Sequence, residues 1–224
     1  MDLLPGSVRV VEDVAGAFAN TVVEAFATRP DPLFTLVLSG GPTAERCYQE
    51  LAGTPPGTID WGSVEVLMGD ERCVAADHPD ANSRLVHRAL LEHVGPVGSF
   101  HPMCCDDVAS YQRLLENHPS LDFVHLGLGP DGHTASLFPG SPALDAPRGS
   151  LAVRTADPGQ LNPHERMSLT FEAIARARLV VFTVSGESKR AAFSALRAGA
   201  DLPAARVRAT RVLWLVDRSA ACPS

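Results

Sequence analysis

The side chains able to do chemistry in this sequence gather in short polar runs rich in glycine. Gly129-Pro130-Asp131-Gly132-His133-Thr134 sets a carboxylate close to an imidazole on a glycine-hinged turn. An imidazole titrates near neutrality and takes a proton from water, while a carboxylate orients the ring and stabilises its cation. Asp131 and His133 are therefore the candidate base pair, and no serine or cysteine is set up as a nucleophile with a base of its own. Ser39-Gly40-Gly41-Pro42-Thr43 has the make-up of an anion cradle. Glycines let backbone N–H groups approach a ligand closely, and a helix N-terminus adds its positive dipole end. The same run also reads as an ordinary strand-to-helix turn capped by Ser39 or Thr43. Lys189, in Ser185-Gly186-Glu187-Ser188-Lys189, is the single lysine among 19 Lys and Arg. It falls in the first turn of a helix, where a cation is disfavoured unless an anion lies nearby. Asp70-Glu71-Arg72 offers Arg72 as a cation and Asp70 as a carboxylate that holds it or a sugar hydroxyl; the plain alternative is a solvated charge cluster.

These runs acquire a common meaning from the elements that carry them. Apolar runs at Leu33–Leu38, Val64–Met68, Asp122–Leu128, Leu179–Val184 and Arg211–Val216 lack strict alternation, the pattern of strands covered on both faces. Val11–Thr28, Ala44–Leu51, Asn82–Val94, Asp106–Asn117 and Glu187–Leu196 are apolar at helical spacing. The alternation predicts a single α/β domain over residues 1–224, a mostly parallel, doubly wound (Rossmann-like) sheet with helices on both faces. The Pro/Gly-rich stretch 139–163 is long for a connection, and a short strand is expected within it at Leu151–Arg154. All the strands except the last run straight into one of the polar runs. In open α/β sheets ligands bind outside the carboxyl ends of the strands, so the runs converge on one crevice. Gly127-x-Gly129-x-x-Gly132 also matches the dinucleotide fingerprint, but Pro139 and Pro142 follow too soon for the long helix that such a unit needs. Such a helix would turn the reading to a dinucleotide-dependent oxidoreductase. A phosphosugar sensor without turnover would keep Lys189 and the Gly40-Gly41 turn and differ only in activity.

Composition narrows the partners. With 45% hydrophobic and 20% charged residues the chain has an ordinary globular make-up. A formal net charge of −7 with no basic stretch argues against nucleic acid. No apolar run approaches the ~20 residues that span a bilayer, and Met1–Val14 lacks the apolar stretch of a secretory leader, so a cytoplasmic protein with no membrane partner is expected. Cys47, Cys73, Cys104, Cys105 and Cys222 show no metal-site spacing and read as reduced thiols.

The motifs together resemble the 6-phosphogluconolactonases, a family related to the glucosamine-6-phosphate deaminases. The resemblance rests on Leu38-Ser39-Gly40-Gly41-Pro42-Thr43, Asp60-Trp61, Gly69-Asp70-Glu71-Arg72-Cys73-Val74 and His78-Pro79-Asp80-Ala81-Asn82. It continues in Gly127–Pro139, the most specific block, and in Arg166-Met167-Ser168-Leu169-Thr170 and Gly186-Glu187-Ser188-Lys189. It implies that the Ser39–Thr43 loop, Arg166 and Lys189 bind a 6-phosphate. It also implies that Asp131 and His133 do the chemistry, with Asp70 and Arg72 in the same pocket. Arg166 has no such reading from its local sequence alone. The implied activity is hydrolysis of 6-phosphogluconolactone to 6-phosphogluconate in the pentose phosphate pathway; that chemistry needs no metal or organic cofactor, and a monomer is expected. Deaminases of the related branch carry Asn-Glu-Pro after the Gly-His turn, where Ser136-Leu137-Phe138-Pro139 stands here without a carboxylate.

Overall fold

The computed structural model describes residues 4–221, which leaves Cys222 and the first three residues of the amino-terminal segment outside the description. Strand β1 (Ser7–Val11) is followed by helix α1 (Val14–Ala27), β2 (Phe34–Leu38), α2 (Pro42–Ala52), β3 (Val64–Met68) and β4 (Asp70–Arg72). Residues 82–94 then coil continuously as α3 (Asn82–Val86), one wider π turn and α4 (Glu92–Val94). After them come β5 (Ser99–His101), α5 (Val108–Glu116), β6 (Leu121–Gly127), β7 (Ala152–Thr155) and β8 (Arg166–Leu169). The chain closes with α6 (Phe171–Ile174), β9 (Ala177–Val184), α7 (Arg190–Arg197), β10 (Arg211–Asp217) and α8 (Arg218–Ala221). No helix among the described residues is long and apolar enough to cross a membrane.

A seven-stranded sheet in the order β1-β10-β9-β6-β2-β3-β5 pairs in parallel throughout, as the strand–helix alternation requires. Its strands are apolar on both faces because both faces are covered. Every residue of β2 is buried, and Phe182 and Trp214 stack face to face at 3.7 Å within the core. The four strands that end in polar runs, β9, β6, β2 and β3, are consecutive neighbours at the centre of the sheet. From β2 the chain builds outward through β3 and β5, then returns to the other side of β2 with β6, β9 and β10. The reversal between β2 and β6 is a topological switch point, where the loops at the carboxyl ends part and leave a crevice.

Three features depart from the sequence reading. Ser7–Val11 is a strand on the sheet edge, and the helix expected from Val11 begins at Val14 because the Asp13 carboxylate caps it, accepting from the Ala15 N–H at 3.0 Å. A second sheet, β4-β8-β7, is antiparallel and packs beside the carboxyl end of β3; β7 falls one residue from the expected Leu151–Arg154 strand. Cys73 and Cys105 are bridged, with Cα atoms 5.5 Å apart, which corrects the reading of all five cysteines as reduced thiols. They are distant in sequence but meet where the end of β4 packs against the loop before α5, a proximity that spacing alone does not reveal. Cys47 is a buried free thiol and Cys104 an exposed one.

Candidate active site

The carboxyl ends of β2, β3, β6 and β9 enclose a cavity of about 260 Å³ lined by Ser39, Gly40, Gly41, Asp70, Arg72, His133 and Lys189, all of them expected at the crevice. Larger clefts of about 430 and 460 Å³ lie at the opposite, amino-terminal edge of the sheet. Neither of those clefts holds a paired acid and base or an unpartnered buried polar atom. Among the described residues the only buried side-chain polar atoms without a partner belong to Asp70, Asn82 and Arg166, and two of these three residues line the small cavity. Buried polar atoms are normally satisfied, so this clustering marks a place built for something else to complete.

The turn after β6 carries the acid–base pair. The His133 ring Nδ1 lies 2.5 Å from Asp131 Oδ1, and the same oxygen accepts from the His133 backbone N–H at 3.2 Å. Burial alone would push the Asp131 carboxyl up, but the hydrogen bonds and charge of His133 outweigh it and hold it below the usual carboxylate range. An ionised Asp131 only accepts, so a proton sits on His133 Nδ1, and in the neutral ring the lone pair is on Nε2. Glycine makes this geometry possible. A Cβ on Gly129 would stand 2.2 Å from His133 Nδ1 and 2.6 Å from Asp131 Oδ1. Gly132 turns the chain at φ +83°, and Phe138 packs on the imidazole at 4.8 Å between centroids. No long helix follows, since Thr134 and Leu137 close a tight bridged turn and only the short 3₁₀ turn Pro142–Asp145 comes after it, so the dinucleotide reading of Gly127–Gly132 fails.

The turn after β2 opens α2 without a cap. Gly41 holds the N-cap position at φ 111°, and no side chain, neither Ser39 nor Thr43, bonds to the first turn. The N–H groups of Gly40 and Gly41 have no acceptor among the described residues, and both residues line the cavity at a helix N-terminus. Gly40 must be glycine, since a Cβ there would fall 1.8 Å from Asn82 Oδ1. The Ser39 hydroxyl itself donates to the His125 carbonyl at 3.0 Å, and Thr43 lies in the first turn of α2 outside the cavity lining.

Cations surround the same space. Lys189 ends the short 3₁₀ turn after Gly186, and its ammonium forms no ion pair or hydrogen bond among the described residues. Burial lowers its affinity for a proton, with the Asp131 charge opposing. Arg166 in β8 stands directly opposite Arg72 in β4. Like charges placed so are repulsive, and burial followed by the Arg72 charge pushes Arg166 below its usual pKa, with Asp70, Glu71 and Asp80 opposing. One guanidinium nitrogen of Arg166 is buried with no partner among the described residues, and Arg166 is not among the residues that line the cavity. Arg72 donates to the Asp80 carbonyl instead of pairing with Asp70. Asp70 accepts from the Ser136 hydroxyl at 2.7 Å, leaving its other oxygen free. Glu71 is not solvated. It is buried and accepts from the N–H groups of Asn82 and Ser83, capping α3.

Asn82 and Asn162 also line the cavity and were not picked out in the sequence. Asn82 stood within a quoted motif without a role. Asn162 is delivered by a loop whose organiser, Asp157, accepts from the N–H groups of Gly159, Leu161 and Asn162 and from the Asn162 amide. Among the described residues no group of three or more His, Cys, Asp or Glu is placed to hold a metal ion.

Comparison with known proteins agrees with the geometry. The sequence model of the glucosamine-6-phosphate isomerase/6-phosphogluconolactonase family matches residues 6–214. The 6-phosphogluconolactonase of Synechocystis is 33% identical over 98% of this chain and 96% of its own length. That of Mycobacterium tuberculosis is 34% identical over 99% and 96%. The crystal structure of 6-phosphogluconolactonase from Leishmania guyanensis superposes with a TM-score of 0.85 at 25% identity, covering 97% of this chain and 99% of the other.

Proposed function

The chain belongs to the glucosamine-6-phosphate isomerase/6-phosphogluconolactonase family, and on that premise we propose that it hydrolyses 6-phosphogluconolactone to 6-phosphogluconate. The observation that carries this reading is His133, hydrogen-bonded to Asp131 behind it in the same turn, lining the same 260 Å³ cavity as an unpaired Lys189 and an uncapped glycine turn. The phosphate dianion sits against the N–H groups of Gly40 and Gly41 and draws Lys189 to it, with Arg166 and Arg72 supplying the further positive charge. Ser39 and Thr43 shape this cradle. His133 Nε2 takes a proton from water, whose oxygen attacks the lactone carbonyl carbon. Asp131 holds the ring and stabilises the imidazolium. The tetrahedral oxyanion is met by the remaining donors of the cavity. It collapses by breaking the bond to the ring oxygen, which leaves with the proton from His133. Asp70, with an oxygen free, accepts from a sugar hydroxyl.

The deaminase alternative needs a carboxylate beyond the Gly-His turn to open an amino-sugar ring. Ser136 there donates to Asp70, and Leu137 and Phe138 are buried in the core. The test is base uptake at constant pH with freshly prepared phosphorylated lactone, corrected for spontaneous hydrolysis. Enzyme-dependent uptake on that lactone, with no ammonia released from glucosamine 6-phosphate, is the expected result; ammonia release without lactone hydrolysis would overturn it.

A further inference from the structure

Beneath the glycine turn lies a polar network buried in the core that the proposed chemistry does not use. Tyr48, on α2, is wholly buried. Its hydroxyl accepts from the Ser39 N–H at 3.0 Å and donates to the Ser39 carbonyl at 2.6 Å. One phenol thus clamps both backbone polar groups of the residue that leads into Gly40 and Gly41. His125, on β6, reaches the same hydroxyl with Nδ1 at 2.8 Å and the Thr183 hydroxyl with Nε2 at 2.8 Å. The Ser39 side chain is tied to the His125 carbonyl, so its N–H, carbonyl and hydroxyl are all held.

Only one arrangement of protons satisfies every member. The phenol has one hydrogen, and the Ser39 carbonyl has no other donor among the described residues, so that hydrogen goes to Ser39. His125 must then donate to Tyr48 through Nδ1–H, and Nε2 accepts from the Thr183 hydroxyl. Burial pushes the His125 pKa down to about 3, so the ring stays neutral and keeps this tautomer. We propose that Tyr48, braced by His125 and Thr183, is a positioning residue that holds the Ser39–Gly41 backbone in the conformation that presents its N–H groups to the substrate phosphate. This deepens the proposed function and rests on it.

Tyr48→Phe removes one oxygen and leaves the ring in place. KM for the phosphorylated lactone is expected to rise about 10- to 100-fold, the worth of donors to a charged oxygen put out of line, with kcat little changed. The kcat/KM for unphosphorylated gluconolactone should stay near the parent value, because that substrate has no group for the cradle. Equal losses on both lactones, or an unchanged KM, would overturn the proposal. A parent enzyme that shows no preference for the phosphorylated lactone would instead overturn the proposed function. If Tyr48→Phe does not fold, Thr183→Val and Thr183→Ser serve: the valine should raise the same KM and the serine restore it, while equal effects from both would refute the bracing. Nitrogen-15 spectra of the parent provide a readout independent of activity. They should show His125 neutral with its proton on Nδ1, and a proton on Nε2 would contradict the network.

Discussion

Gly129→Ala perturbs the proposed base pair without replacing either of its members. A methyl group at this position would stand 2.2 Å from His133 Nδ1 and 2.3 Å from Cε1. Non-bonded carbon and nitrogen do not approach within about 3.0 Å, so the imidazole must retreat by roughly 0.8 Å or swing away from Asp131. Phe138, itself buried, packs against the ring and limits how far it can move. Displacement of about 1 Å at a reacting group can cost roughly 10²-fold, and loss of the Asp131 hydrogen bond adds to it. Base uptake with the phosphorylated lactone should therefore give a kcat lowered about 100-fold, with KM within a few-fold of the parent, since Lys189 and the glycine turn are not moved. Because the two effects act through one ring, Gly129→Ala added to His133→Ala should cause little further loss. Near-parental turnover in a folded Gly129→Ala variant would refute the claim that the Asp131–His133 geometry matters.

Other consequences are equally open to measurement. Lys189→Ala should lower kcat/KM about 10- to 150-fold on the phosphorylated lactone and little on plain gluconolactone, as a lost hydrogen bond to a charged group would; equal losses on both would remove Lys189 as the anchor. Cys73→Ser should lower unfolding free energy by about 3–4 kcal/mol in denaturant titrations, from a closed loop of 32 residues, and an unchanged midpoint would show that the bridge does not form in solution. His118 would be pushed down by burial, but hydrogen bonds to Glu65 and the Leu114 carbonyl raise its pKa. Its stabilisation is therefore complete below the unfolded value of ~6.5 and lost as pH rises through the raised folded value. Thermal melts should show the parent losing stability over that interval relative to His118→Gln, and parallel curves would contradict the pairing.

The sheet was legible because buried parallel strands leave continuous apolar runs, and β2, β3, β6, β9 and β10 were found to within two residues at each end. The crevice followed from where those runs stop. What was not legible shares one cause, which is that it forms only through tertiary contact. β4 and β8 are short and polar and exist because they pair with each other, and that pairing alone sets Arg166 opposite Arg72. Arg166 was therefore reached through family resemblance and not through its neighbours in sequence. Glu71 looked like a surface charge because nothing in Asp70-Glu71-Arg72 shows that the amino end of α3 lies above it. The Cys73–Cys105 bridge and the Tyr48–His125 contact likewise join segments far apart in the chain.

The central claim is that His133 activates water against a phosphorylated lactone. Its most direct test is the turnover of His133→Ala on freshly prepared 6-phosphogluconolactone, beside a parent enzyme of equal thermal stability. The account predicts a kcat lower by about 10²–10⁴, the usual worth of a positioned general base, with KM nearly unchanged. A folded His133→Ala variant that turns over at close to the parental rate would contradict it.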